Sequence, residues 1–298
     1  MEYENLPEST NIEDRRGESG GGGGFSLPGG GGTGGLGIGF IIVLFIVGYF
    51  TGIDPRVLIG GAEVLTGGHS GGTPVSQPIA AGAGANDGVR HMVAKFLGGT
   101  EAVWSKVLPD QKGVQYTSAT LVLFNGATNS GCGQAQAAMG PFYCPVDKKV
   151  YLDTSFFEDM KTKFGGGGDF PDAYVIAHEI GHHVQDLLGV LDKVDDAKQR
   201  VSKTQANALS VRVELQADCY AGVWANHANA QYKLLNEEDV RQALATASAI
   251  GDDRLQTAAR GYAVPDSFTH GSAANRQKWL TVGLKSGKID DCNTFAEP

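Results

Sequence analysis

Apolar and polar positions divide the chain into a periodic body and a front end without helical or strand rhythm. In the body, Val89, Met92, Val93, Phe96 and Leu97 recur at helical spacing, and Val103, Trp104 and Val107 resume it after a break at Gly98 and Gly99. Residues 119–124 and Lys149–Asp153 have strand composition, the first followed by an Asn125-Gly126 turn. A helix opens at Asp169 or Phe170, with Pro171 near its first turn, and closes at Gly189. A long helical stretch covers about 194–228. Another helix starts at Asn236, an N-cap followed by Glu237, Glu238 and Asp239 where the helix dipole favours acids, and the last runs Ala273–Ser286. This pattern predicts one α+β domain over residues 86–298, mostly helix with a small sheet.

The front end reads differently. Residues 36–53 carry no charge over 18 positions, and as a helix they would span about 27 Å at roughly 1.5 Å per residue. Their neighbours are Gly-rich and polar, with nothing to bury the run, and no small-x-small cleavage site follows closely. The pattern predicts one uncleaved transmembrane helix. Residues 1–35 hold six acids, Arg15, Arg16 and the glycine runs 20–24 and 29–32, which predicts a disordered tail. Residues 54–85, rich in Gly, Pro, Ser and Thr and containing His69, read as a flexible linker. Arg15 and Arg16 before the run and Arg56 just after it leave its orientation open.

Composition narrows the classes. The 298 residues carry a formal net charge of −9, and clustered Lys and Arg able to neutralise phosphates are lacking, so nucleic acid is not an expected partner. Half of the 44 glycines, 22, lie between Gly17 and Gly72 without a Gly-X-Y period, which excludes collagen and assigns the excess to the front end. Four cysteines are too few for a disulfide-built miniprotein.

The chemistry is concentrated in two helices. His178 and His182 are four residues apart, which puts both imidazoles on one helical face, where they can take two corners of a tetrahedral Zn2+. Glu179 is adjacent and can reach the corner that holds a water, taking its proton as general base. Metzincins carry Gly and His three and six residues after the second His. Gln185 and Leu188 stand there instead, which excludes that subclass. The next long helix offers Glu214 as third ligand, and Asp218 one turn on can accept the free ring N–H of a ligating histidine. Both acids sit amid Val211, Val213, Leu215, Ala217, Ala221 and Val223, so burial there calls for a metal and a histidine to neutralise them. His183 points some 100° from His182 and reads as a packing or supporting residue. His91 and His227 read as surface. His270, in a loop before a helix, is a candidate hydrogen-bond donor to a tetrahedral intermediate or else a buried loop residue; Tyr143, Tyr220 and Tyr262 are weaker candidates for the same role.

With these residues in view, the sequence resembles the bacterial neutral zinc metallopeptidases, membrane-anchored proteins with an HExxH site. The resemblance runs through residues 11–17 (NIEDRRG), 140–153 (GPFYCPVDKKVYLD), 168–185 (GDFPDAYVIAHEIGHHVQ), 210–224 (SVRVELQADCYAGVW), 251–254 (GDDR) and 268–271 (FTHG). It implies a zincin-like catalytic domain in which His178, Glu179 and His182 form the active-site motif, and a single span that places this domain outside the cytoplasm, in the periplasm or on the outer face of the cell membrane. Similarity to the Glu-x-x-x-Asp arrangement of gluzincins supports Glu214 and Asp218. Residues 268–276 (FTHGSAANR) resemble the Thr-His-Pro and downstream Arg of membrane-linked gluzincins, with Gly271 where Pro would be.

The cysteines accord with that topology. In an oxidising compartment Cys132 pairs with Cys144, and Cys219 with Cys292 if the carboxyl end packs back on the Glu214 helix; in a cytosol all four would be free thiols. The expected activity is hydrolysis of peptide bonds in protein or peptide substrates by a membrane-anchored zinc peptidase, with Lys149–Asp153 as the edge strand that pairs with extended substrate. The alternative is a non-catalytic extracytoplasmic scaffold stabilised by zinc and disulfides.

Overall fold

A computed structural model describes residues 1–18, 87–163 and 168–296. The chain order is a 3-10 turn at Tyr3–Asn5, strand β1 (Ile12–Asp14), helix α1 (Gly88–Lys112), strands β2 (Thr120–Phe124), β3 (Ala127–Ser130), β4 (Gly133–Gln136), β5 (Phe142–Cys144) and β6 (Lys149–Asp153), then helices α2 (Ser155–Lys163), α3 (Asp169–Leu187), α4 (Val190–Lys198), α5 (Lys203–Tyr232), α6 (Glu237–Ala249), α7 (Asp252–Arg260) and α8 (Ala273–Ser286). The described residues therefore form an α+β fold, mostly helical with a small sheet. No helix among them is long and apolar enough to cross a membrane. The remainder of the expected tail at 19–35, the expected span at 36–53, the linker at 54–85 and His69 lie outside the described residues.

The four-stranded sheet has the order β1-β2-β6-β5; β1, β2 and β6 run parallel and β5 is antiparallel to β6. Strand alternation sends Leu121, Leu123, Val150 and Leu152 into the main core with the helices, while Val122, Phe124, Tyr151 and Cys144 form a second cluster with Ala135 of the β3–β4 hairpin. Cys132, at the tip of that hairpin, is bonded to Cys144. The strand β6 is therefore paired on both sides. The sequence reading of Lys149–Asp153 as a free edge is corrected: β5, which folds back on β6, occupies the edge.

Three further expectations change. Residues 1–18 are no disordered tail: Leu6 is buried in the core, β1 completes the sheet, and the acids that suggested disorder are paired, Glu13 with Arg15 and Lys149, and Asp14 with Arg16. The helix α1 runs unbroken through Gly98 and Gly99. The long stretch expected over 194–228 is two helices, because Ser202 and Gln205 form a capping box that starts α5 afresh. Two other elements match the sequence reading: Asn236 caps α6 through the same kind of box with Asp239, and α8 has the expected bounds.

The centre of the molecule is a stack of three helices, α3, α5 and α8. Glycines set their spacing. A β-carbon at Gly283 of α8 would lie 1.9 Å from the Cys219 carbonyl oxygen, and one at Gly222 of α5 would lie 2.3 Å from the Leu280 carbonyl oxygen, so these two helices meet backbone to backbone. The bond between Cys219 and Cys292 ties the chain end to α5 at that contact.

Candidate metal centre

The helix α3 is buried along nearly its whole length, from Phe170 to Gln185. Its turn at His178 and His182 faces α5, and the approach is close because a β-carbon at Gly181 would lie 3.0 Å from the Ala217 carbonyl oxygen. Across that contact the Nε2 atom of His178 lies 3.1 Å from Glu214 Oε2, and Nε2 of His182 lies 3.6 Å from Glu214 Oε1. One donor atom from each residue falls within 4.8 Å of the others. Two imidazole nitrogens and one carboxylate at this spacing are the donor set of a hydrolytic zinc site.

The other ring nitrogens are fixed. Nδ1 of His178 donates to Asp218 Oδ1 at 2.9 Å, and Nδ1 of His182 donates to Gln185 Oε1 at 2.8 Å. Gln185 is held in turn, its amide donating to the Val213 carbonyl at 2.8 Å and to Gln216 Oε1 at 3.0 Å. Both imidazoles are thereby oriented with Nε2 toward Glu214, as metal ligation requires. Asp218 also accepts from Tyr174 Oη at 2.5 Å and from Arg276 at 2.8 and 2.9 Å, the fork of a two-point guanidinium pair. Both Asp218 and Arg276 are buried.

These contacts set the charges. Burial alone would push the Asp218 carboxyl up, but the Arg276 guanidinium and His178 hold it down at about 2. Burial opposes a charge on His178, yet Asp218 and Glu214 outweigh it and raise the ring to about 10. Glu214 is held well below the usual carboxylate range by His182 and His178 despite its burial. A dication fits this set: two imidazole nitrogens and the Glu214 carboxylate converge, and the Asp218 carboxylate behind His178 adds negative charge.

Glu179 follows His178 on α3 and is only 7% exposed, and no described residue shares a hydrogen bond with its carboxylate. His270 sits in a loop anchored by Asp252, whose Oδ2 accepts the backbone N–H groups of Thr269, His270 and Gly271 at 2.7, 2.6 and 2.9 Å. At Gly271 φ is +94°, a conformation closed to proline, and a β-carbon there would sit 3.1 Å from Leu215, next to Glu214. A glycine at this position, where the Thr-His-Pro pattern has proline, thus suits the way this loop passes α5. Burial lowers the tendency of His270 to charge, but Asp252 and Glu214 prevail and raise its pKa.

The remaining candidates lie elsewhere. His183 is fully buried, its Nε2 donating to the Thr117 carbonyl at 2.6 Å beside the Tyr143 hydroxyl, as a supporting residue would. Tyr143 is committed to Asp186 at 2.8 Å. Tyr220 packs on Trp104, and Tyr262 is 61% exposed beside Arg260. The His91 side chain is exposed, as expected, and pairs with Glu4 and Glu8, whereas His227 is half-buried and donates to the Gly287 carbonyl. Sequence reasoning gave no role to Tyr174, Gln185 or Asp252. The first two share the ligand face, four residues before His178 and three after His182, and that spacing was their signal.

Residues 1–295 match the profile of the family described as "Putative neutral zinc metallopeptidase". The chain belongs to that family. It is 44% identical over 303 residues to "Uncharacterized protein YpfJ" of Escherichia coli K12, a match that covers 100% of this chain and 99% of that one. It is 43% identical over 256 residues to "Uncharacterized protein Rv2575" of Mycobacterium tuberculosis H37Rv, covering 82% and 84%. No solved structure matches the chain. Membership of a zinc metallopeptidase family implies Zn2+, and His178, His182 and Glu214 are the described residues placed to hold it.

Proposed function

We propose that the protein is a zinc metallopeptidase of gluzincin type with a zincin-like catalytic domain, cleaving peptide bonds in protein or peptide substrates. The observation that carries this reading is the convergence of His178, His182 and Glu214, with Asp218 and Gln185 behind the two rings. Bound zinc supplies a Lewis acid that acidifies water and polarises the scissile carbonyl. Glu179, whose carboxylate no described residue shares, accepts the proton of the attacking water and delivers it to the leaving amine. His270, in the loop that Asp252 anchors, donates to the oxygen that gains charge in the tetrahedral intermediate. Extended substrate lies along β5, the sheet edge that touches α3 through Tyr143 and Asp186. Disulfides at Cys132–Cys144 and Cys219–Cys292 fit a domain working outside the cytoplasm, with residues 36–53 engaging the membrane.

Metal analysis and digestion of an unbiased peptide library test the reading together. One zinc per chain, cleavage abolished by chelation and restored by zinc, supports it. One zinc per chain with no cleavage of any peptide favours a scaffold stabilised by metal.

A further inference from the structure

The first eighteen residues are seated on the domain at every step. The Met1 amine pairs with Asp239 at 3.0 Å, Glu2 N–H donates to the Leu234 carbonyl at 3.0 Å, and Leu6 is 2% exposed in the core. Ser9 N–H donates to the Ala94 carbonyl at 2.9 Å, and the Ser9 and Asn11 side chains both donate to Glu101. Strand β1 then pairs in parallel with β2, and Arg15 reaches the Asn129 carbonyl at 3.0 Å. Finally Arg16 ion-pairs with Asp87, the N-cap of α1.

The sequence of α1 independently records this docking. A β-carbon at Gly98 would lie 2.3 Å from the Pro7 carbonyl oxygen and 2.8 Å from the Ser9 nitrogen, and one at Gly99 would lie 2.9 Å from the Leu6 side chain. Glycine is a poor residue inside a helix. These two are needed where the arm crosses.

A chain that crosses a bilayer once leaves its two flanks in different compartments, yet backbone hydrogen bonds between β1 and β2 demand one. Two crossings would need about 20 apolar residues each. Between Glu18 and Asp87 there is one apolar run of that order, and Asp54, Arg56 and Glu63 follow it. We propose that residues 1–18 are an integral arm of the domain and lie on the same side of the membrane as residues 87–296.

All four cysteines are in disulfides, so an introduced cysteine is the sole free thiol. Thr10 on the arm and Asp110 on α1 are both exposed. In full-length Thr10→Cys and Asp110→Cys proteins expressed in bacterial spheroplasts, a membrane-impermeant maleimide is applied before and after permeabilisation. The proposal expects the same before-to-after labelling ratio at both sites, both near one or both near zero. A ratio near one at one site and near zero at the other establishes a single crossing and overturns it.

Discussion

Gly181 on α3 and Ala217 on α5 touch through backbone, with a β-carbon at the first only 3.0 Å from the carbonyl oxygen of the second. This contact brings His178 and His182 to Glu214, so the one glycine inside the HExxH turn has a physical task. Replacing Gly181 with Val forces the helices apart. Zinc affinity, read by competition with a chromophoric chelator, falls at least about tenfold, and Gly181→Ala gives a smaller loss.

Asp218 and Arg276 act as a unit behind His178. Asp218→Asn lowers zinc affinity about 10- to 100-fold by loosening the ring, and it leaves Arg276 a buried, unpaired charge. Breaking such a pair from one side costs about 3–5 kcal/mol. In denaturant unfolding, the double variant Asp218→Asn with Arg276→Met loses less stability than the sum of the two single variants.

Asp172, in the first turn of α3, is buried with one carboxylate oxygen unpartnered, and burial raises its pKa from 3.8 to about 7. The folded chain holds this proton more tightly than the unfolded one. The stability tied to it is complete below about pH 4 and is lost as the pH rises toward 7. Asp172→Asn removes the loss: equal to the parent near pH 4, the variant is more stable at pH 8 by on the order of 2–4 kcal/mol.

The Cys219–Cys292 bond closes a loop with a sequence separation of 73, and by loop entropy it contributes about 4 kcal/mol. Paired Cys219→Ala and Cys292→Ala substitutions therefore lower the unfolding free energy by about that amount. The Cys132–Cys144 bond, with a separation of 12, contributes about 3 kcal/mol by the same reckoning.

The site was more legible in the sequence than the fold around it. Ligand spacing on helices is a local property, so His178, His182, Glu214 and Asp218 could be read from single turns. The roles of Gly98 and Gly99 could not, because they answer to an arm about 90 residues away, and composition made that arm look disordered. Strand β6 was recognised, but its place inside the sheet depends on β5 and β2, and no local pattern shows a strand's neighbours. Arg276 entered by resemblance alone. Its physical reason, pairing with the buried Asp218 carboxylate, needed the packing of α8 on α5.

Glu179 is proposed as the base beside a zinc held by His178, His182 and Glu214. That role is tested most directly by measuring peptide turnover of Glu179→Gln at measured zinc occupancy. The account predicts one zinc per chain, as in the parent, with turnover lower by about a thousandfold or more. Parent-level turnover in the zinc-loaded variant would contradict it.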